Sequence, residues 1–335
     1  MKNKMNDYEV LDFEMVHWAD YDLFIAHKAN EITYKKQNDM RIISMPTDCL
    51  GWKKIFMPIR KVRRLLRLDK VIITPVSSGF ILIRFGNVYT YNIKDNQWFN
   101  VNILLNCRNP MYNGLLNSSA GIYIGEYGNS NGIGKRIFRS IDEGESWQCV
   151  YQFKADSIRH IHCLGWDQFE KKIWVFTGDN DEDCRVLKAE PDFSVVEEIG
   201  SGSQKWRACH AIFREHTVEW FMDSPLEEVH YMKYHRRNGE IETGQVVAGP
   251  IWFAKEYGEF ALAASVQETG LSHKDKLLHL YKSTDFINWN DIATFEHDGW
   301  PKSYFRFGTM TFAHGSKVMI SCEGVKGLDG KTIRL

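Results

Sequence analysis

No stretch of this sequence is apolar for long enough to cross a bilayer as a helix, which sets aside a helical membrane protein. The opening, MKNKMNDYEVLDFEMVHW, has lysines but no secretory apolar core. No CxxC pair occurs among the seven cysteines (Cys49, Cys107, Cys149, Cys163, Cys184, Cys209, Cys322), and their number is odd. Without an export signal, these read as reduced thiols in a cytoplasmic protein. Charge of one sign is also missing. Lys and Arg total 42 against 43 Asp and Glu, a net of −1, so no nucleic-acid partner and no membrane surface is expected. There is no P-loop, no GxGxxG after a strand, no HExxH and no GxSxG, so no nucleotide cofactor is expected either.

Aromatic residues, by contrast, are plentiful, at 13% of the chain. They favour strands and surfaces for flat ligands such as sugars. GFILIRFGNVYTYNI, AGIYIGEY, KKIWVFTGD, HTVEWFMD and SKVMISCEG alternate or run apolar over strand lengths between turn signals, and few segments keep a helical period. The expected class is all-β.

The turns repeat. An Asp or Asn among small or polar residues stands between two strand-like segments at Asp48, Asp95, Asp142, Asp192, Asn238, Asp285 and Asp329, with gaps of 47, 47, 50, 46, 47 and 44 residues. A period in the forties with four short strands per repeat marks a β-propeller, here with seven four-stranded antiparallel blades. One repeat reads HIHCLGWD, KIWVFTGD, CRVLKAE, SVVEEIG as its four strands in order. No linker interrupts the array, so residues 1–335 are expected to form one domain. Residues 1–45 would complete the first blade or latch it to the last.

The segment FRSIDEGESWQCV contains Ser140-x-Asp142-x-Gly144-x-x-Trp147, and a shorter version recurs at Ser283-Thr-Asp285-Phe-Ile-Asn-Trp289. Ser140-x-Asp142-x-Gly144-x-x-Trp147 resembles the Asp-box, or BNR repeat, of sialidase-like propellers, including bacterial glycosyl-hydrolase-like members. The family's Arg-Ile-Pro signature is not matched; MRIISMP at 40–46 is nearest. Ser and Asp side chains can bond local backbone N–H groups, and Gly permits a positive φ, so Ser140, Asp142, Gly144 and Trp147 read as a structural turn. The resemblance places that turn between the third and fourth strands, on the face opposite the ligand site.

The search for chemistry therefore moves to the other face, where first strands begin and second strands end. The starts carry Arg108, Arg159, Arg207 and Lys302 or Arg306; the ends carry Glu126 with Tyr127, Asp179, Asp223, Glu268 and Glu323. Guanidinium groups bind carboxylates through paired donors. Arg108, Arg159 and Arg207 would thus be counterparts of the three sialidase arginines, with Trp206, Tyr304 and Arg306 as further substrate contacts. The alternative is that the arginines pair with Asp179, Asp223 and Glu126 to neutralise buried charge. His160 and His162, two apart on a strand, would act as acid or base, or bind zinc with a nearby cysteine such as Cys209, or be ordinary hydrogen-bonded histidines; the assignment carried forward has no metal and no cofactor.

For hydrolysis, Asp179 or Asp223 would be the acid, with Tyr127 and Glu126 resembling the sialidase tyrosine–glutamate pair. For elimination on a uronate, Arg159 or Arg207 would hold the carboxylate while His160 or His162 and Tyr127 or Tyr304 move protons. The expected partner is an anionic oligo- or polysaccharide; a non-catalytic glycan-binding or protein-interaction propeller is the alternative. Two stretches remain. Residues 53–70 hold eight Lys and Arg against one acid; such a run can bind polyanions or lie on an anionic membrane, and more often is a solvated strand or loop on a blade edge. GNSNGIGK, 128–135, reads as a loop between a second and a third strand.

Overall fold

The computed structural model describes residues 8–128 and 132–335, so residues 129–131 within GNSNGIGK and residues 1–7 of the expected latch lie outside the described residues. The chain is an all-β, seven-bladed β-propeller whose sheets are four-stranded and antiparallel. The blades fall into two compact units, Val71–Val247 with four blades and Met1–Lys70 with Ala248–Leu335 with three. Among the described residues no helix is long and apolar enough to cross a membrane.

Within the four-blade unit, the third blade in chain order after Val71 runs His160–Asp167, Lys172–Gly178, Arg185–Ala189 and Val196–Ser201. Burial falls from strand to strand. HIHCLGWD and KIWVFTG are almost wholly buried, whereas VEEIGS is largely open to solvent. Strands packed on both faces read as near-continuous apolar runs, while an outer strand keeps polar residues. Tyr123, Ile137, Ile161, Ile173 and Val175 are fully buried in one cluster here. Burying a side chain of this size stabilises by about 1.5–3 kcal/mol.

Five expected turns, at Asp95, Asp142, Asp192, Asn238 and Asp285, join third to fourth strands. Two do not. Asp48 opens a 3₁₀ segment, Asp48–Phe56, after the blade that ends at Ser44; that blade turns at Gln37 instead, between Glu31–Lys36 and Asp39–Ser44. Asp329 joins the second and third strands of its blade, Met319–Glu323 and Lys331–Arg334. The fourth strand there is Glu9–Leu11, paired as Glu9↔Arg334, Val10↔Ile333 and Leu11↔Thr332. Met15–Ala19 starts the next blade.

The basic stretch holds no strand, and it is solvated only in part: Lys54 and Lys61 are exposed. It contains the 3₁₀ segment and the helix Arg60–Leu66. Arg63 and Arg64 are buried. Arg60 pairs with Asp69 and with Asp329 at 3.0 Å, Arg63 with Glu14, Arg64 with Asp298, and Lys70 with Glu323. All of these partners belong to the three-blade unit. Apart from Asp69, which lies within the stretch, they were invisible in sequence because they lie up to 269 positions away.

Both Ser-x-Asp turns close as their chemistry requires. Ser140 Oγ donates to Asp142 Oδ1 at 2.7 Å and accepts from Gly144 N–H at 2.8 Å, and Ser146 N–H donates to Asp142 Oδ1 at 2.9 Å. Gly144 has φ +90°, and a Cβ there would lie 2.4 Å from Ile81 Cδ1. In the shorter copy, Asn288 and Ile287 N–H donate to Asp285 Oδ1 at 2.8 and 2.9 Å. These bonds hold the Asp285 carboxyl well below its ordinary range. Both aspartates are consumed by their turns.

Candidate functional site

The antiparallel register pairs His160 with Gly178, so Asp179 emerges beside Arg159 and His160. An isolated antiparallel bridge between Tyr127 and His160 brings the end of the preceding blade to the same place. In the following blade, Asp223 N–H donates to Arg207 O at 2.8 Å, repeating the pairing of a first-strand start with a second-strand end. The expected first strand there is reduced to Ile212–Phe213, and Arg207 follows a 3₁₀ turn, Gln204–Trp206. Gly178 leaves the room these groups need, since a Cβ would lie 2.7 Å from His162 Cε1 and 3.1 Å from Arg207 Cγ.

Asp179 is the hub. Its Oδ1 lies 3.1 Å from His162 Nε2 and 3.5 Å from Arg207 Nη2, and its Oδ2 lies 3.3 Å from both His160 Nε2 and Arg159 Nη1. Its backbone carbonyl accepts from Arg207 Nη1 at 2.8 Å. Burial alone would raise its pKa, but the bonds from His160 and His162 and the Arg207 charge hold the carboxyl far below the usual range. Asp223 accepts from Arg207 Nε at 3.2 Å and from the Cys209 thiol at 3.2 Å, and faces His162 Nδ1 at 3.5 Å. Burial, with the Asp223 carboxylate beside it, keeps the Cys209 thiol protonated.

Tyr127 stacks on His160 with ring centroids 4.0 Å apart and planes 18° from parallel. Burial, then the Asp179 charge, raises its pKa, so it remains a phenol. His160 Nδ1 has no hydrogen-bond partner among the described residues. Arg159 is the open edge of the group, with its side chain 51% exposed, whereas Arg207, His160, His162 and Asp223 are buried.

The cluster thus unites Tyr127, Arg159, His160, His162, Asp179, Arg207 and Asp223 from the sequence expectations, and all of its named contacts lie within Val71–Val247. Other expected residues lie elsewhere. Glu126 is fully buried and accepts from the backbone N–H of Asn106 and from Arg136, with Nη2 to Oε1 at 2.7 Å. Its carboxylate serves that ion pair rather than Tyr127. Arg108 is exposed and stacks on Phe85 at 4.0 Å. Trp206 is a core ring, packed against Trp220 at 6.0 Å and over the face of Gly200, not a sugar platform. Tyr304 and Arg306 belong to the three-blade unit. His210 is buried and accepts from Phe221 N–H at 3.2 Å, a core role. Cys209 is the one member that entered the sequence reading only as a neighbour of the histidines; its signal was its place, two residues past Arg207, at the start of the next blade.

A β-propeller is the class this fold defines. No family model matches the chain, and no curated protein matches it. Solved structures do. A structure of the mitotic checkpoint complex aligns over 100% of this chain and 96% of its own, with a TM-score of 0.56 and 9% identity. The extracellular domain of a hybrid two-component system from B. thetaiotaomicron aligns over 97% of this chain with a TM-score of 0.55 and 11% identity. A puromycin-hydrolyzing peptidase of Mycobacterium tuberculosis aligns over 92% with a TM-score of 0.55 and 9% identity. This chain spans 40% of the second and 49% of the third. At such identities the likeness is one of fold alone.

Proposed function

We propose that the chain acts on an anionic glycan at the Tyr127–Arg159–His160 edge of the cluster, by elimination on a uronate residue. The observation that carries this reading is the composition of that edge: a half-exposed guanidinium, an imidazole oriented by Asp179, and a protonated phenol stacked on it. Arg159 would pair with the uronate carboxylate. His160 would take the C5 proton and Tyr127 would give its proton to the departing O4; the C5–H and C4–O bonds break and a C4=C5 double bond forms. Hydrolysis is less well supplied. It needs a carboxylic acid that is protonated at working pH, whereas Asp179 is held ionised and Asp223 is buried against Arg207 and the Cys209 thiol; Glu126, the expected partner of Tyr127, is engaged by Arg136.

A second reading, a non-catalytic glycan-binding or interaction module, is favoured by a different observation: Arg207 and Arg159 already face Asp179, and Arg207 also faces Asp223. The test is incubation with polyuronates and sialosides, read for ultraviolet absorbance of an unsaturated product and for new reducing ends. Elimination predicts both signals from a polyuronate, and a fall of roughly 10²–10⁴-fold for Tyr127→Phe or His160→Gln. Reducing ends without absorbance would mean hydrolysis. Binding without turnover would favour the second reading. No signal, together with glycan binding unchanged in Arg159→Ala, rejects the site altogether.

A further inference from the structure

We propose that His162, Cys209 and Asp223 form a binding site for a zinc ion. The sequence reading carried no metal forward, because the three residues come from two blades and their approach is tertiary. Their ligand atoms form a closed triangle: Cys209 Sγ to His162 Nδ1 is 3.6 Å, Cys209 Sγ to Asp223 Oδ2 is 3.2 Å, and His162 Nδ1 to Asp223 Oδ2 is 3.5 Å. Zinc bonds of about 2.3 Å to sulfur and about 2.0–2.1 Å to nitrogen and oxygen, at tetrahedral angles, require ligand separations of roughly 3.3–3.6 Å. The triangle is close to that size before any ion is placed. All three side chains are buried.

A second observation is independent of the triangle. His162 turns its other nitrogen, Nε2, to Asp179 Oδ1 at 3.1 Å. A metal-binding histidine characteristically gives its outer N–H to a carboxylate, which fixes the ring and leaves the inner lone pair for the ion. With Nε2–H donated to Asp179, Nδ1 presents a lone pair to two further acceptors, a carboxylate oxygen and a sulfur. The thiol proton can satisfy only one contact of that triangle, whereas a cation satisfies all three. Thiolate, Asp223 and Asp179 would supply three negative charges to face a divalent ion, Arg207 and the half-exposed Arg159. The donor set, one sulfur, one imidazole and one carboxylate, suits zinc rather than magnesium or calcium. Binding would displace the thiol proton to solvent.

Three protein ligands leave one tetrahedral position, the arrangement that zinc sites use for water or substrate. The inference does not depend on the glycan reading, and its test contains no glycan.

Full-length protein, stripped with a chelator and reloaded, should bind one Zn²⁺ per chain by elemental analysis. With Co²⁺ in its place it should show a thiolate-to-cobalt charge-transfer band and intense visible bands of a tetrahedral site. Cys209→Ser should abolish the charge-transfer band, and Cys322→Ser, at a buried thiol of the three-blade unit, should leave it intact. Asp179→Asn should weaken Zn²⁺ binding by about 10–100-fold while the band is retained at saturation. Should Cys209→Ser fail to fold by circular dichroism, the wild-type cobalt spectrum decides alone: a thiolate band supports the site and its absence overturns it. Zinc without that band, or a band that survives Cys209→Ser in folded protein, also overturns it.

Discussion

Two groups of buried charge in this chain are built from different chemistry. In the three-blade unit, the helix Arg60–Leu66 supplies Arg60, Arg63 and Arg64, and carboxylates of Glu14, Asp69, Asp298 and Asp329 meet them. In the four-blade unit, Arg159 and Arg207 share Asp179 and Asp223 with two histidines, a tyrosine and a cysteine. Arginine only donates and does not lose its proton in a protein, so the first group can do little beyond holding segments together. Imidazole, phenol and thiol can exchange protons or bind metal. Burial and charge are alike in the two groups; the capacity to change protonation separates them.

The sharpest way to break this comparison is to remove one charge from each group. Replacing Arg64, whose side chain is 2% exposed, removes the arginine paired with Asp298 and leaves Asp329 with Arg60 alone. Arg64→Met is expected to cost about 3–5 kcal/mol in denaturant unfolding, the usual cost of stranding a buried partner. A loss under about 1 kcal/mol would mean that solvent reaches the group.

Acid should come next. His314, in the three-blade unit, is pushed down to about 4 by burial and by Lys255, and His17 is lowered further by burial and by His27 and His314. No carboxylate is among the causes that shift these two. A depressed histidine pKa means that the unfolded chain binds the extra proton first. Stability contributed by keeping His314 neutral is therefore full above about pH 6.5 and is lost as pH falls towards 4. The loss is on the order of 3 kcal/mol by its end. A flat melting temperature between pH 6.5 and 4 in wild type, or no flattening in His314→Gln, would contradict this.

Gly144→Ala is smaller again. It forces a residue with a side chain to φ +90° against Ile81 and should cost about 1–3 kcal/mol without altering the chemistry of the cluster. Arg159→Ala should be the mildest. A half-exposed ion pair contributes about 0–1 kcal/mol, so stability should barely move. Glycan binding should fall sharply under the proposed function. A large stability loss instead would class Arg159 with the arginines of the helix.

Much of the fold was legible because blades repeat and their turns use local chemistry. Ser140–Asp142–Gly144 and Ser283–Asp285 close within a few residues, so composition and spacing sufficed to find them. Asp48 and Asp329 misled for the converse reason: an Asp among small or polar residues marks a break between strands but not which strands it joins. The basic stretch was misread because its carboxylate partners are remote. The rule that equivalent blade positions point the same way named Arg159, Asp179, Arg207 and Asp223, and the two-residue spacing of a strand named His160 and His162; these side chains lie together. Glu126, named by the same rule, is instead held by Arg136, and Trp206 packs against Trp220.

What the sequence determined by itself was the repeat: a period near 47 residues, strands whose apolar runs demand packing on both faces, and turns that carry their own hydrogen-bond partners. Only the tertiary structure decided which charges are matched and which acceptors converge. Those outcomes depend on distances between residues dozens to hundreds of positions apart. A carboxylate is an ion-pair partner, a proton carrier or a metal ligand according to what stands within about 4 Å of it.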